Sequence, residues 1–383
     1  MILNWDKKQM KTYCQNLRNK KSLTEFDFLA FEFYDTYLND KYSFDYNTKD
    51  QYEDELTLQE EDRIVSINEI KDKCKEFKEL FIGNYSTHIY KSFITLLKYA
   101  GRTNYGLKQE ISVQQKEITD EEFIDQSYQM FGSISSKFNP FLNYIYENKL
   151  VKIKKDIDIL DEPSFCLPDL HNKVGYVYLN EKEKDSTLES AYNHELMHSL
   201  TCNINPKMYQ SDSPIFENFD LINEAHAIYM LFYTNQQLYE KSKDINYIIS
   251  NYNYINYLQR IIFYFNVIYL ISDLKEINQN NIEDVLYNRL NLVIEDFNGF
   301  ATTIVDESIE KYLKYLFSGL VALHLLEQDF AKSRELFTDS IFNDYKSVNR
   351  FLRKIEFNLK DDYYACRLFN RVNCRIEAFI RKR

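Results

Sequence analysis

The stretch Ser186-Thr187-Leu188-Glu189-Ser190-Ala191-Tyr192-Asn193-His194-Glu195-Leu196-Met197-His198-Ser199-Leu200-Thr201-Cys202 decides how this chain is read. It holds no Gly or Pro, and Ser186 followed three residues later by Glu189 predicts a capping box at a helix start. The helix is expected to run through Cys202 and stop at Asn205-Pro206. His194 and His198 are four positions apart, so both imidazoles leave one helix face and can grip one metal ion. Glu195 then lies beside the ion, placed to take a proton from a water on it. This H-E-x-x-H spacing is the layout of a zinc hydrolase. Histidine is scarce, six in 383 residues with three between positions 194 and 226, so coincidence explains the spacing poorly.

Working outward, Gly175-Tyr176-Val177-Tyr178-Leu179-Asn180 has the aromatic and β-branched content of a short strand feeding that helix. One edge of its backbone is expected to face a cleft and pair with an extended peptide. Downstream, PIFENFDLINEAHAIYMLFYTNQQ (214–237) predicts a second helix. It carries two candidates for a third metal ligand, Glu217 and Glu224, seven residues apart and so able to face the same way. Spacing alone does not choose between them. His226 points roughly 200° around that helix from Glu224 and is expected to miss the metal. Cys202 and His324 read as packed core residues; His88 and His171 carry no recognisable context.

All five prolines fall between Pro140 and Pro214, and Gly totals seven, so both flanks are expected to be helical. Helices are predicted over Thr87–Ala100, from Asp120 onward, and through most of Tyr247–Ile380, with one more strand at Val151–Ile159. The organisation expected is an N-terminal helical region, 1–140, and a catalytic region, 141–383, forming one two-lobed unit. The 32 Tyr and 28 Phe are read as core and boundary residues rather than as a carbohydrate or base-stacking surface. A net charge of −12, mixed along the chain, makes nucleic acid a poor partner. The start lacks a hydrophobic signal core, and no apolar run reaches the roughly 18 residues of a membrane span. Dispersed cysteines without a C-x-x-C pair read as reduced thiols, which points to the cytoplasm.

Three segments resemble the oligoendopeptidase F and thimet oligopeptidase family of zinc peptidases: GYVYLNEKEKDSTLESAYNHELMHSL (175–200), DLINEAHAIYMLFY (220–233) and YLKYLFSGLVALHLLEQ (312–328). The first is similar to that family's substrate-edge strand, connector and metal helix. The second resembles its second metal helix, where the ligand Glu precedes Ala, which implies Glu224 as third ligand. The third resembles a C-terminal helix whose Tyr assists catalysis, which implies Tyr315, with Tyr312 as the weaker candidate. The resemblance implies a mainly α fold with a small β element beside the active-site helix and a substrate cleft. It also implies one Zn2+ held by His194, His198 and Glu224, with Glu195 as general base acting on short peptides. The chain departs from the family in having LPDLHNKVG (167–175) where a Gly-rich stretch is usual, and ATTIVDESIEK (301–311) where a His and a Tyr are usual. Those departures motivate an alternative, a peptide-binding protein that descends from such a peptidase and no longer cleaves. Oligomeric state is left open.

Overall fold

Long runs free of Gly and Pro become helices, and the proline-bearing middle of the chain supplies the strands. A computed structural model describes residues 64–83, 87–100, 111–116, 118–154, 164–169, 173–180, 185–209, 220–343, 345, 347–357 and 361–381. The N-terminal helices are α1 (Ile67–Gly83), α2 (Thr87–Ala100), α3 (Asp120–Ile134) and α4 (Asn139–Glu147). Strands β1 (Val151–Lys154), β2 (Phe165–Asp169) and β3 (Val174–Asn180) lead into α5 (Leu188–Ile204), which carries the two histidines. Then follow α6 (Asp220–Ser242), α7 (Asn246–Ser272), α8 (Gln279–Leu290), α9 (Phe297–Asp306), α10 (Ile309–Leu326), α11 (Phe330–Phe342), α12 (Val348–Lys354) and α13 (Tyr364–Arg381). The protein is mainly α, with one small sheet, as the sequence predicts. Among the described residues no helix is long and apolar enough to cross a membrane.

The sheet corrects one expectation. Its order is β1-β3-β2, with β1 parallel and β2 antiparallel to β3. The strand entering α5 is therefore the central one: Val177 and Tyr178 are paired with β1 on one side and with β2 on the other. At Val177 and Tyr178 the backbone of β3 is flanked by a partner on both sides, and the outer sides of the described sheet belong to β1 and β2. Strand alternation tells which residues share a face but not which strand lies outside, and this is why the sequence pattern misplaced the edge. The strand predicted over 151–159 is described as far as Lys154; the remainder lies outside the described residues.

Helix α5 lies between the sheet and α6, and α6 is covered in turn by α10 and α7. The approach of β3 to α5 is close enough to need glycine: a Cβ at Gly175 would stand 2.6 Å from Ser199 Cα and 2.8 Å from Cys166 Sγ. The Ser199 hydroxyl donates to the Gly175 carbonyl at 2.6 Å, locking α5 to its strand. Residues Leu221 to Asn235 of α6 are buried without interruption, the pattern of a helix at the centre of a body rather than on its surface. A link from Ser318 Oγ to the Leu221 carbonyl, 2.8 Å, ties α10 to the start of α6.

The start of α5 also differs from expectation. Thr187, not Ser186, is the N-cap, and its side chain accepts from the Ser190 N–H. Two remote partners cause the shift. The Gln115 side chain donates to the Ser186 carbonyl and accepts from the Leu188 N–H, so Ser186 stays outside the helix. Glu189 cannot reach back, because its buried carboxylate takes the Tyr247 O–H at 2.8 Å. Thr187 Oγ1 in turn donates to Asn235 Oδ1, and Asn235 donates to Ser250 and Asn251. Buried polar groups satisfied in this way fix α5 against α6 and α7.

Residues Val65–Arg383 form one compact unit. Within it α3 and α4 pack against α5, and α1 and α2 pack against α7. The division expected at residue 140 involves residues 1–63, which lie outside the described residues.

Candidate metal centre

His194 and His198 leave α5 one turn apart, their ring centroids 5.0 Å from each other and the rings nearly perpendicular. Glu224, on α6, faces both: His194 Nε2 is 3.6 Å from Glu224 Oε1, and His198 Nε2 is 3.7 Å from Glu224 Oε2. One ligand atom from each of the three residues lies within 4.8 Å of the others. These separations exceed hydrogen-bonding distance. They are close to the ~3.3 Å between ligand atoms that one tetrahedral zinc sets with bonds of about 2.0–2.1 Å. Glu224 Oε1 is buried and has no hydrogen-bond partner, an unfavourable state for a carboxylate oxygen that a cation would relieve. The donor set, two imidazoles and one carboxylate, suits a metal ion.

Burial pushes His194 well below its ordinary value, helped by the nearness of His198 and opposed by the Ala227 backbone. The ring is therefore neutral near pH 7, the form in which imidazole ligates. Glu195, the next residue, is buried, with Oε1 3.8 Å from His194 Nε2. Its charge also reaches Cys166 on β2, whose thiol is pushed far up by burial first and by Glu195 second. Strand β2 packs on α5, with Cys166 in the field of the Glu195 carboxylate.

Of the two tyrosines on α10, Tyr315 is the one beside this cluster. Glu224 is the largest cause of the rise in its pKa, followed by burial, Tyr257, Glu195 and Asp220. Tyr312 lies among Tyr264, Phe265 and Tyr257, and after burial it is Glu307 that raises its pKa. Glu217 lies outside the described residues. His226 is turned into the core, Nε2 2.6 Å from Ser340 Oγ, with Phe337 and Phe351 against its ring. His324 is likewise a core residue, and Cys202 is fully buried on α5.

Four neighbours escaped the sequence reading. Lys314 Nζ lies 2.6 Å from Asp220 Oδ2 and 3.8 Å from Glu224 Oε2. Burial opposes its charge, but Asp220 and then Glu224 outweigh that and hold Lys314 above its ordinary value. Asp220 stands one turn before Glu224, a spacing visible in the sequence. Tyr254 and Tyr257 come from α7; the Tyr257 ring is 5.8 Å from Tyr315 and 6.1 Å from Tyr254. Both phenols are raised first by burial and next by Glu224. The Tyr254 hydroxyl is buried without a hydrogen-bond partner.

No family model built from sequences matches the chain, and no curated protein matches it in sequence. Three solved structures resemble it in fold. PZ peptidase A, determined with an inhibitor, overlays with a TM-score of 0.50 at 9% identity, covering 80% of this chain and 58% of that one. A protein assigned as an oligoendopeptidase F gives 0.50 at 12% identity, covering 78% and 58%. Another so assigned, from Bacillus anthracis strain Ames, gives 0.49 at 11% identity, covering 97% and 74%. The chain thus spans 58% of the length of the first two. At these identities the likeness is one of fold alone, and it rests on the two structures that overlay with a TM-score of 0.50.

Proposed function

We propose that this chain is a cytoplasmic zinc-dependent metallopeptidase that hydrolyses short peptides. The observation that carries the reading is the convergence of His194, His198 and Glu224, from two helices, next to the carboxylate of Glu195. His194, His198 and Glu224 would hold one Zn2+, which when bound lowers the pKa of water and polarises a carbonyl. Glu195 takes the proton of the attacking water and later returns it to the leaving amine. Tyr315, kept protonated by its acidic surroundings, donates a hydrogen bond to the oxyanion of the tetrahedral intermediate.

Substrate binding is assigned to the outer side of β2. One side of β2 is paired with β3, and the strand packs on α5 beside Glu195. Pro168 has no N–H, and proline is tolerated in a strand where its nitrogen faces away from the ladder. Alternation then turns the Cys166 N–H and C=O the same way, toward an incoming peptide. Main-chain pairing of this kind is largely indifferent to side chains, so the specificity expected is broad in sequence and limited in length.

The test is Glu195→Gln. The variant is expected to bind zinc as the wild type does and to lose several orders of magnitude in turnover of a fluorogenic peptide, because an amide does not accept the proton. Wild-type turnover in Glu195→Gln rejects Glu195 as the base. Binding of peptides without cleavage by the zinc-loaded wild type would favour the retired-enzyme reading that the ATTIVDESIEK stretch (301–311) motivates.

A further inference from the structure

Lys314 is placed where a metallopeptidase site has least use for a cation. It precedes Tyr315 on α10, and its ammonium sits 2.6 Å from Asp220 and 3.8 Å from Glu224 Oε2, the oxygen that also faces His198. Asp220 and Glu224 both stand within 3.8 Å of Lys314, and Glu195 and Glu224 both within 3.8 Å of His194, so three carboxylates share one partly buried region. Like charges in such surroundings repel strongly unless a counter-charge is built in.

We propose that Lys314 is a positioning residue that substitutes for part of the metal's charge, holding the Asp220–Glu224 carboxylates in place in the metal-free protein and loosening the bound ion in the loaded one. The inference rests on the assignment of His194, His198 and Glu224 as a metal site and concerns how tightly that site holds its ion. Without the ion, Lys314 compensates Glu224, and the site stays assembled. With the ion bound, two cationic centres share Glu224 and repel each other through a medium that screens them poorly. The consequence is a site that is ready-formed, rapidly loaded and only moderately tight.

The prediction has a sign that a packing role would not give. Zinc affinity is measured by competition with a chelator of known affinity, and melting temperature with and without zinc, for wild type, Lys314→Met and Lys314→Arg. Lys314→Met is expected to melt lower without metal, to bind zinc on the order of tenfold more tightly, and to gain more in melting temperature from zinc than the wild type. Lys314→Arg, which keeps the charge, is expected to hold the wild-type affinity. If Lys314→Met does not fold without metal, the double variant Asp220→Asn/Lys314→Met removes both charges together and is expected to show a smaller tightening. Affinity in Lys314→Met that is unchanged within twofold, or weaker, overturns the proposal while leaving the metal site standing. A wild type that takes up no zinc overturns both.

Discussion

Four of the six histidines fall into two pairs with opposite surroundings. His194 and His198 turn Nε2 toward the two oxygens of Glu224, at 3.6 and 3.7 Å, too far to bond and near enough to share an ion. His226 and His324 meet neutral partners at bonding distance. His226 faces Ser340 Oγ at 2.6 Å; His324 faces the Ile355 carbonyl at 2.6 Å and the Tyr364 hydroxyl. Because a carbonyl only accepts, His324 Nε2 carries the proton and Nδ1 takes the Tyr364 O–H. Burial lowers the pKa of His194, His226 and His324 alike. A neutral, buried imidazole is therefore no mark of a ligand in this protein. What separates the pairs is the charge they face and the gap left between donors.

Substitution separates the two pairs most visibly. His198→Ala is expected to reduce zinc affinity and peptide cleavage by several orders of magnitude, while the metal-free protein keeps its fold to within about 2 kcal/mol. Metal analysis and chemical denaturation check the two halves. His324→Ala should do the reverse. It removes one buried and one part-buried hydrogen bond and leaves a cavity, at a cost of about 2–4 kcal/mol, while zinc content stays unchanged. Loss of metal from that variant would erase the distinction between the pairs.

Acid titration gives a smaller effect. Burial holds folded His324 below its ordinary value of 6.5, against the opposing pull of the Ile355 carbonyl. Below 6.5 the unfolded chain takes up a proton that the folded one does not, so this contribution is complete above that pH and is lost as pH falls toward the folded value. His324→Gln is expected to flatten the fall in stability on acidification by up to about 1.4 kcal/mol per pH unit. An unchanged slope in denaturation curves would mean that the imidazole is not buried neutral.

The sequence was most legible where function leaves a local period. The i, i+4 histidines, the breaker-free run to Cys202 and the short strand ahead of it were all readable, and the helix and strand stand where expected. Capping was misread by one residue, because Gln115 and Tyr247, far away in sequence, claim Ser186 and Glu189. The central position of β3 was invisible for a related reason: pairing order is a long-range property, and β1 and β2 reach it from both sides. The choice between Glu217 and Glu224 rested on resemblance, since both fit the spacing. Lys314 was overlooked beside Tyr315 because a lone lysine on a helix is ordinarily solvated, and only the fold brings it to Asp220 and Glu224.

We propose that one metal ion held by these ligands drives peptide hydrolysis. Its most direct test is reconstitution. The wild-type protein is stripped with a chelator, titrated with zinc, and assayed at each step on a library of short fluorogenic peptides. Cleavage should vanish on stripping and return in proportion to zinc, reaching its plateau at one equivalent, whereas His198→Ala should regain none. Cleavage that survives the chelator, or a zinc-saturated protein that cuts no peptide in the library, would contradict zinc-driven hydrolysis at these ligands.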